Sequence, residues 1–351
     1  NGALTIDPAT RYDVLFGVTD IHEFHNGGTL RFGPDGMMYS SIGAPGVCVS
    51  QDRAIPLGKI LRLEVSSLPP GAGGPAPKGL IIPPDNPFVA HADSNARLVW
   101  QWGLRNPFRF GIDPRTGAMV IGDVGGSERE ELSYAPAPGL NFQWPIYEGD
   151  VPGPYNCAGV DSTLFRGPIH AYDHSEGAAV IGGVIYRRTG SATQPFPPEY
   201  DGNYFWLEHL RGQINRMVLD GGNVVQSVTI PWGATASGGW YNGAVDLKMG
   251  NDGAFYYCTY DPGQLRRIRY NGTVSVPPGG DRRTALDPPS PNPFAGATQV
   301  RFALGATARV RLGVFDLVGR RVATLEDGVI EAGAHVSTWS GRDLDGRSDA
   351  A

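Results

Sequence analysis

Charge is scarce in this chain. Only 18% of its 351 residues are Asp, Glu, Lys or Arg, against about 25% in an average soluble protein. Acids outnumber bases by 35 to 29. A formal net charge of −6 argues against the basic surface that phosphate tracking needs, and so against a nucleic-acid partner. Long apolar runs are missing as well: nothing approaches the ~20 residues that a helix needs to span a bilayer. Cysteine is limited to Cys48, Cys157 and Cys258, without a CxxC pair, which speaks against a structural zinc centre. The odd count allows one disulfide and one leftover thiol, and the pairing stays open. An initiating Met is absent too. The chain begins at Asn1 without a signal peptide and stops at Asp349-Ala350-Ala351 just after a turn, which reads as a fragment at both ends.

Turn-formers are abundant. There are 50 Gly and 30 Pro, where ordinary usage is about 7% and about 5%. With 41% hydrophobic and 10% aromatic residues, the chain is too rich in core-formers to be disordered. Such a mixture gives many short strands rather than long helices, an all-β protein. One phrase recurs: Phe32-Gly33-Pro34-Asp35-Gly36-Met37-Met38-Tyr39, then Phe110-Gly111-Ile112-Asp113-Pro114 with Gly117, then Lys248-Met249-Gly250-Asn251-Asp252-Gly253-Ala254-Phe255. Each is a strand, an Asp-led turn and a second strand, because Asp accepts backbone hydrogen bonds and Gly tolerates positive φ. A further strand pair lies between Val180-Ile181 and Val218-Leu219. Repeated antiparallel units of this kind suggest about four blades of a β-propeller, with a large β-sandwich as the alternative. If the ring is larger, the missing blades precede Asn1.

Residues 273–290, rich in Pro, Gly and Ser, read as a linker. Beyond it, Val300-Arg301-Phe302-Ala303-Leu304 and Val310-Arg311-Leu312-Gly313-Val314 alternate with a period of two, marking half-buried strands of a small second all-β domain over 291–351.

The first domain, 1–272, resembles the soluble pyrroloquinoline-quinone-dependent sugar dehydrogenases of the glucose/sorbosone dehydrogenase family. The residues that carry the resemblance are His25-Asn26-Gly27-Gly28-Thr29, Leu57-Gly58-Lys59-Ile60, Gly103-Leu104-Arg105-Asn106-Pro107, Ile121-Gly122-Asp123-Val124-Gly125-Gly126 with Glu130-Glu131, and Asn141-Phe142-Gln143-Trp144-Pro145, in that order. It implies a six-bladed propeller whose first blades precede Asn1. It further implies an aldose sugar dehydrogenase with pyrroloquinoline quinone and calcium as cofactors, a sugar substrate and an external electron acceptor.

From its residue type, His25 at a strand mouth is a candidate general base, or else a ring satisfying loop carbonyls. The resemblance makes it the base that removes the anomeric hydroxyl proton. It makes Arg105 and Asn106 ligands of the acidic cofactor, a role suited to a guanidinium facing carboxylates, and adds Arg211. It also implies that the carbonyls of Gly125 and Gly126 hold calcium, with Glu130 and Glu131 serving the ion or the blade structure. Four positions depart from the family pattern. Ala44 stands where an acid helps orient the base, Leu210 replaces a lysine, and Gly243 and Val245 lie where arginines surround the cofactor. Fewer cations should weaken binding of a tricarboxylate. Ile169-His170-Ala171-Tyr172-Asp173-His174 reads as loop structure rather than a metal site. Trp100, Trp102, Trp144, Trp206, Trp232 and Trp240 read as propeller core.

The second domain is similar to the FlgD-type immunoglobulin-like module, related to type IX sorting domains, through Pro291-Asn292-Pro293-Phe294, Val314-Phe315-Asp316-Leu317-Val318-Gly319-Arg320 and Trp339-Ser340-Gly341-Arg342. That resemblance implies a small β-sandwich ending before its last strand. It also implies an exported protein (secreted, periplasmic or on the cell surface) that meets secretion machinery or the surface through this domain. Two functions follow as expectations: an exported quinoprotein oxidising an aldose, or an inactive propeller that binds carbohydrate or protein.

Overall fold

The computed structural model describes residues 7–18, 24–45, 48–160, 162–190, 192–193, 195–220, 223–230, 243–261, 263–270, 285–286, 289–291, 294, 296–304, 306–315, 321–331 and 333–342. The chain divides into two compact units, Asn1–Gly272 and Thr273–Ala351.

In the first unit the chain runs through four antiparallel sheets in succession. The first contains β1 (Leu30–Phe32), β2 (Met38–Ile42), β3 (Lys59–Leu63) and β4 (Val99–Trp102) in sequence order. The second contains β5 (Pro107–Ile112), β6 (Met119–Asp123) and β7 (Glu130–Ala135). After an excursion carrying the small hairpin of β8 (Tyr147–Glu148) and β9 (Val151–Pro152), β10 (His170–Tyr172) joins beside β7. The third sheet is β11 (Val180–Ile185), β12 (Tyr204–Glu208), β13 (Gln213–Asp220) and β14 (Asn223–Ile230). The fourth is β15 (Ala244–Met249), β16 (Phe255–Thr259) and β17 (Gln264–Ile268).

The Asp-led turns form as their residues dictate. Asp35, Asp113 and Asp252 each accept a backbone N–H two residues on, at 3.0–3.2 Å, and Gly36, Gly117 and Gly253 take positive φ. The first and fourth sheets repeat a further detail. Tyr39 and Tyr256 donate their hydroxyls to Asp35 and Asp252, and Arg62 and Arg267, register partners of those tyrosines on the next strand, bind the same carboxylates.

The sheets stack face to face. Tyr39 and Ile60 of the first pack on Phe110, Met119 and Ile121 of the second. Val120, Leu132 and Tyr172 of the second meet Val180, Tyr204 and Trp206 of the third. Ile181, Phe205 and Leu207 of the third meet Leu247, Phe255 and Tyr257 of the fourth. One cavity is lined by the first strands β1, β5, β11 and β15 of all four sheets. Sequential meanders, three of them four-stranded and the fourth with three strands among the described residues, stacked around a channel lined by their first strands, are blades of a β-propeller. Four blades lie among the described residues, where the family resemblance implies a ring of six. Trp102, Trp144 and Trp206 are core, and Trp100 packs at its edge; Trp232 and Trp240 lie outside the described residues. Cys48 is bonded to Cys157, and Cys258 is the exposed free thiol.

The second unit holds two antiparallel sheets: β18 (Ala285–Leu286), β19 (Thr298–Leu304) and β22 (Gly333–Trp339), and a hairpin of β20 (Ala308–Phe315) with β21 (Arg321–Ile330). Phe302, Leu304, Val322 and Ala323 are its buried apolar residues. Most of the 273–290 linker and the 316–320 part of the module motif lie outside the described residues.

Candidate functional site

The approaches to β1 and β5 meet at one end of the channel. His25 takes a left-handed φ of 64°, and its carbonyl leaves no room for a side chain at Gly43: a Cβ there would sit 1.7 Å from His25 O. The strand exit Ser41-Ile42-Gly43 and the His25 loop therefore close on each other through a glycine. Gly27 donates its N–H to Asn106 Oδ1 at 3.1 Å, and Ala44 donates to the Arg105 carbonyl at 2.7 Å. The two loops thus share one hydrogen-bonded frame.

Within that frame the half-buried Arg105 guanidinium places Nη2 3.0 Å from His25 Nε2 and donates Nη1 to Val124 O at 2.9 Å, with the group 5.4 Å from the Trp144 ring centroid. A guanidinium only donates. The His25 Nε2 must therefore present its lone pair, the tautomer that a proton acceptor needs.

Buried carboxylates hold the frame in place. Asp123, the last residue of β6, accepts the backbone N–H groups of Arg105 at 2.9 Å and Asn106 at 2.6 Å. Burial pushes its carboxyl up to about 7, although both N–H groups and the Arg105 charge favour the ionised form. Glu148 takes four N–H groups on one oxygen, those of Gly126, Ser127, Glu128 and Arg129, at 2.6–3.0 Å. In a trans peptide the carbonyl points opposite to the N–H that follows it. Glu148 therefore turns the carbonyls of Gly125 and Gly126 away from itself.

Glu130 and Glu131 are occupied otherwise. Glu130 accepts Val180 N–H at 2.8 Å across the junction to the third blade, and His174 Nε2 lies 3.3 Å from its other oxygen. Glu131 accepts Gly149 N–H at 2.7 Å. Both are buried, and burial raises both carboxyls above their ordinary values, with Asp123 adding to the effect at Glu131. Of their two expected roles, blade structure has these contacts behind it, because a backbone donor holds one oxygen of each carboxylate. Among the described residues no group of three or more His, Cys, Asp or Glu is arranged to hold a metal ion.

Arg211 lies apart from the Arg105 frame in its contacts. It sits exposed on the turn between β12 and β13 and donates to the carbonyl of Ser175. Leu210 beside it is exposed, Gly243 and Val245 bracket the start of β15, and Ala44 is buried in the first-blade frame. His170 packs against Tyr172 and Trp206, while His174 pairs with Glu130, so the HxxxH stretch is structural. Sequence reasoning missed Asp123, Glu148 and Trp144 as parts of the site. An acid closing an otherwise apolar strand, as in Met119-Val120-Ile121-Gly122-Asp123, is the signal that could have found the first.

Residues 7–267 match the family described as Glucose / Sorbosone dehydrogenase. HIPL1 protein of Arabidopsis thaliana is 33% identical over 192 residues, 49% of this chain and 27% of that protein. Aldose sugar dehydrogenase YliI of Escherichia coli K12 is 28% identical over 123 residues, 35% of this chain and 29% of that protein. The chain thus spans less than a third of the length of these curated relatives. A solved soluble aldose sugar dehydrogenase from Escherichia coli, in its apo form, superposes with a TM-score of 0.53 at 22% identity, over 69% of this chain and 63% of that one. This last likeness is one of fold.

Proposed function

The chain belongs to the Glucose / Sorbosone dehydrogenase family, and from that premise we propose that it oxidises an aldose at its anomeric carbon with pyrroloquinoline quinone and calcium at the mouth of the channel. The observation that carries this reading is the His25 Nε2–Arg105 Nη2 pair on a frame fixed by Asn106 and Asp123. The residues suit the cofactors chemically. Arg105 and Asn106 offer a cation and an amide to an acidic quinone. The carbonyls of Gly125 and Gly126, turned away from Glu148, are oxygen donors of the kind calcium takes, with Glu130 fixing the junction to the third blade and Glu131 the β8–β9 hairpin.

When bound, pyrroloquinoline quinone supplies the hydride acceptor, calcium supplies a Lewis acid, and an external acceptor takes the electrons on. The chain's own part is proton handling and placement. In the resting arrangement Arg105 covers the His25 lone pair. An anionic group engaging Arg105 would draw it off and free Nε2 to take the proton of the anomeric hydroxyl. Asp123 keeps the backbone of Arg105 and Asn106 in place meanwhile, and Trp144 backs the guanidinium.

The test is calorimetric titration of pyrroloquinoline quinone, with and without calcium, into the chain and its Arg105→Ala variant. Calcium-dependent binding that the variant loses is expected. Absence of binding to a folded chain overturns the reading and turns attention to the propeller as a carbohydrate- or protein-binding module. We extend the proposal to the compartment: the Cys48–Cys157 disulfide supports an oxidising, exported location. The second unit would act as the FlgD-type module that meets the secretion machinery or the cell surface. Recovery of the protein only in the cytosolic fraction of its producing cell would contradict that extension.

A further inference from the structure

The channel carries a second constellation, deeper than the mouth. Arg31 on β1, Arg109 on β5 and Lys248 on β15 converge on a single oxygen, Oδ1 of Asp246, at 3.1, 3.6 and 3.6 Å. The Leu247 N–H points at the same atom at 3.0 Å. Three positive charges thus face one negative charge. Of the three, only Arg31 is close enough to Asp246 for a hydrogen bond; Arg109 and Lys248 stand at ion-pair distance.

The Lys248 ammonium is buried even though its side-chain stem is exposed, and it has no hydrogen-bond partner among the described residues. Burial lowers all three cations from their ordinary values, Lys248 to about 8, where Arg31 adds to the effect. Tyr204 is the other titratable group acting on Arg31, and Cys258 on Arg109. A buried ammonium that shares one carboxylate with two guanidiniums, in a cluster with two excess positive charges, is costly and calls for a further counter-ion. Room for one exists. A cavity of about 370 Å³ opens beside the cluster, with Arg31, Gly111, Val184, Lys248 and Met249 in its wall.

We propose that this channel cavity binds a small dianionic oxyanion, held by Lys248 and Arg31, the two cations in its wall, with Arg109 adding positive charge across Asp246. The site shares no residue with the His25–Arg105 frame and does not rest on the sugar-oxidising reading.

Inorganic phosphate, titrated calorimetrically into the whole chain at pH 7 with ionic strength matched by sodium chloride, is the probe. Saturable one-to-one binding is expected. It should weaken by about tenfold or more in Lys248→Met and in Arg31→Gln, the usual scale for removing one partner of a desolvated charge contact. Asp246→Asn removes the competing carboxylate and should strengthen binding by about threefold, the scale of a partly exposed ion pair. Circular dichroism and melting temperature establish that each variant is folded. If the cation variants fail that check, Asp246→Asn decides alone: stronger binding supports the site, and unchanged or weaker binding overturns it. No saturable binding to the parent chain, or binding indifferent to all three substitutions, also overturns it.

Discussion

The second and third blades begin their first strands with the same device and place different side chains on it. In the second, Asp123 at the end of β6 accepts the N–H groups of Arg105 and Asn106. In the third, Glu208 at the end of β12 accepts those of Ala178 and Ala179, both at 2.9 Å, and Glu130 of the neighbouring blade takes the next, Val180. The physical need is common to both. A first strand approaching the channel has backbone donors with no strand beside them, and buried donors must be satisfied. The carboxylate is therefore architecture. What stands on the strand it holds, Arg-Asn in one blade and Ala-Ala in the other, separates a chemically equipped mouth from a bare one.

Four experiments break or sharpen this contrast, from the largest expected effect to the smallest. The loops of the first and second blades are also tied covalently by Cys48–Cys157 across 109 residues, and no such tie reaches the third blade among the described residues. Reduction should cost about 5 kcal/mol of stability by loop entropy, read by urea unfolding with and without reductant. An unchanged midpoint would contradict it.

Next, Asp123→Asn and Glu208→Gln each trade a buried carboxylate for an amide that can no longer accept at both oxygens. Each should cost about 3 kcal/mol. Only the first should also weaken pyrroloquinoline-quinone binding, since only it frees Arg105 and Asn106. Equal loss of binding in both would erase the distinction between the two mouths.

A third comparison sets Arg105→Ala against Arg211→Ala. The half-buried guanidinium bridging His25 and Val124 should cost about 1–2 kcal/mol and most of the cofactor affinity, whereas the exposed Arg211 should change stability by no more than about 0.5 kcal/mol. Paired melting and binding curves check both.

The smallest effect concerns the fourth blade, where solvent reaching the partly exposed Lys248 side chain screens the interaction. Lys248 has its folded-state value lowered to about 8 from an ordinary 10.5. Above pH 8 the native state therefore releases a proton that the unfolded chain still holds. Stability should be insensitive to this group below pH 8 and rise with pH from about 8 to about 10.5. Lys248→Met should flatten that rise in denaturation curves across the same range.

Much of the fold was legible because it is written in local chemistry. Asp35-Gly36, Asp113 with Gly117, and Asp252-Gly253 announce their turns, and the apolar strands flanking them announce the blades. Arg105 and Asn106 were legible as a cation and an amide between an apolar stretch and Pro107. The supporting acids were not. Glu148 lies about twenty residues from the loop whose amides it gathers, and Glu208 lies about thirty from Ala178, so nothing local marks either pairing. Glu130-Glu131 carry two readings in the sequence, ion and blade structure, for a related reason. An acidic pair after a glycine loop has the composition of an ion site, whereas a backbone donor distant in sequence holds one oxygen of each, Val180 on Glu130 and Gly149 on Glu131, contacts that only tertiary structure reveals.

The ion pair of Arg31 with Asp246 joins residues 215 positions apart, from the first blade to the fourth. That span has a kinetic consequence. Closing a loop of that length is entropically costly before the second and third blades have stacked, so the contact is expected at the end of folding rather than in its nucleus. Substitutions at Arg31 or Asp246 should then hasten unfolding while leaving the folding rate nearly unchanged, making the channel's ionic cluster a latch on the lifetime of the assembled blades.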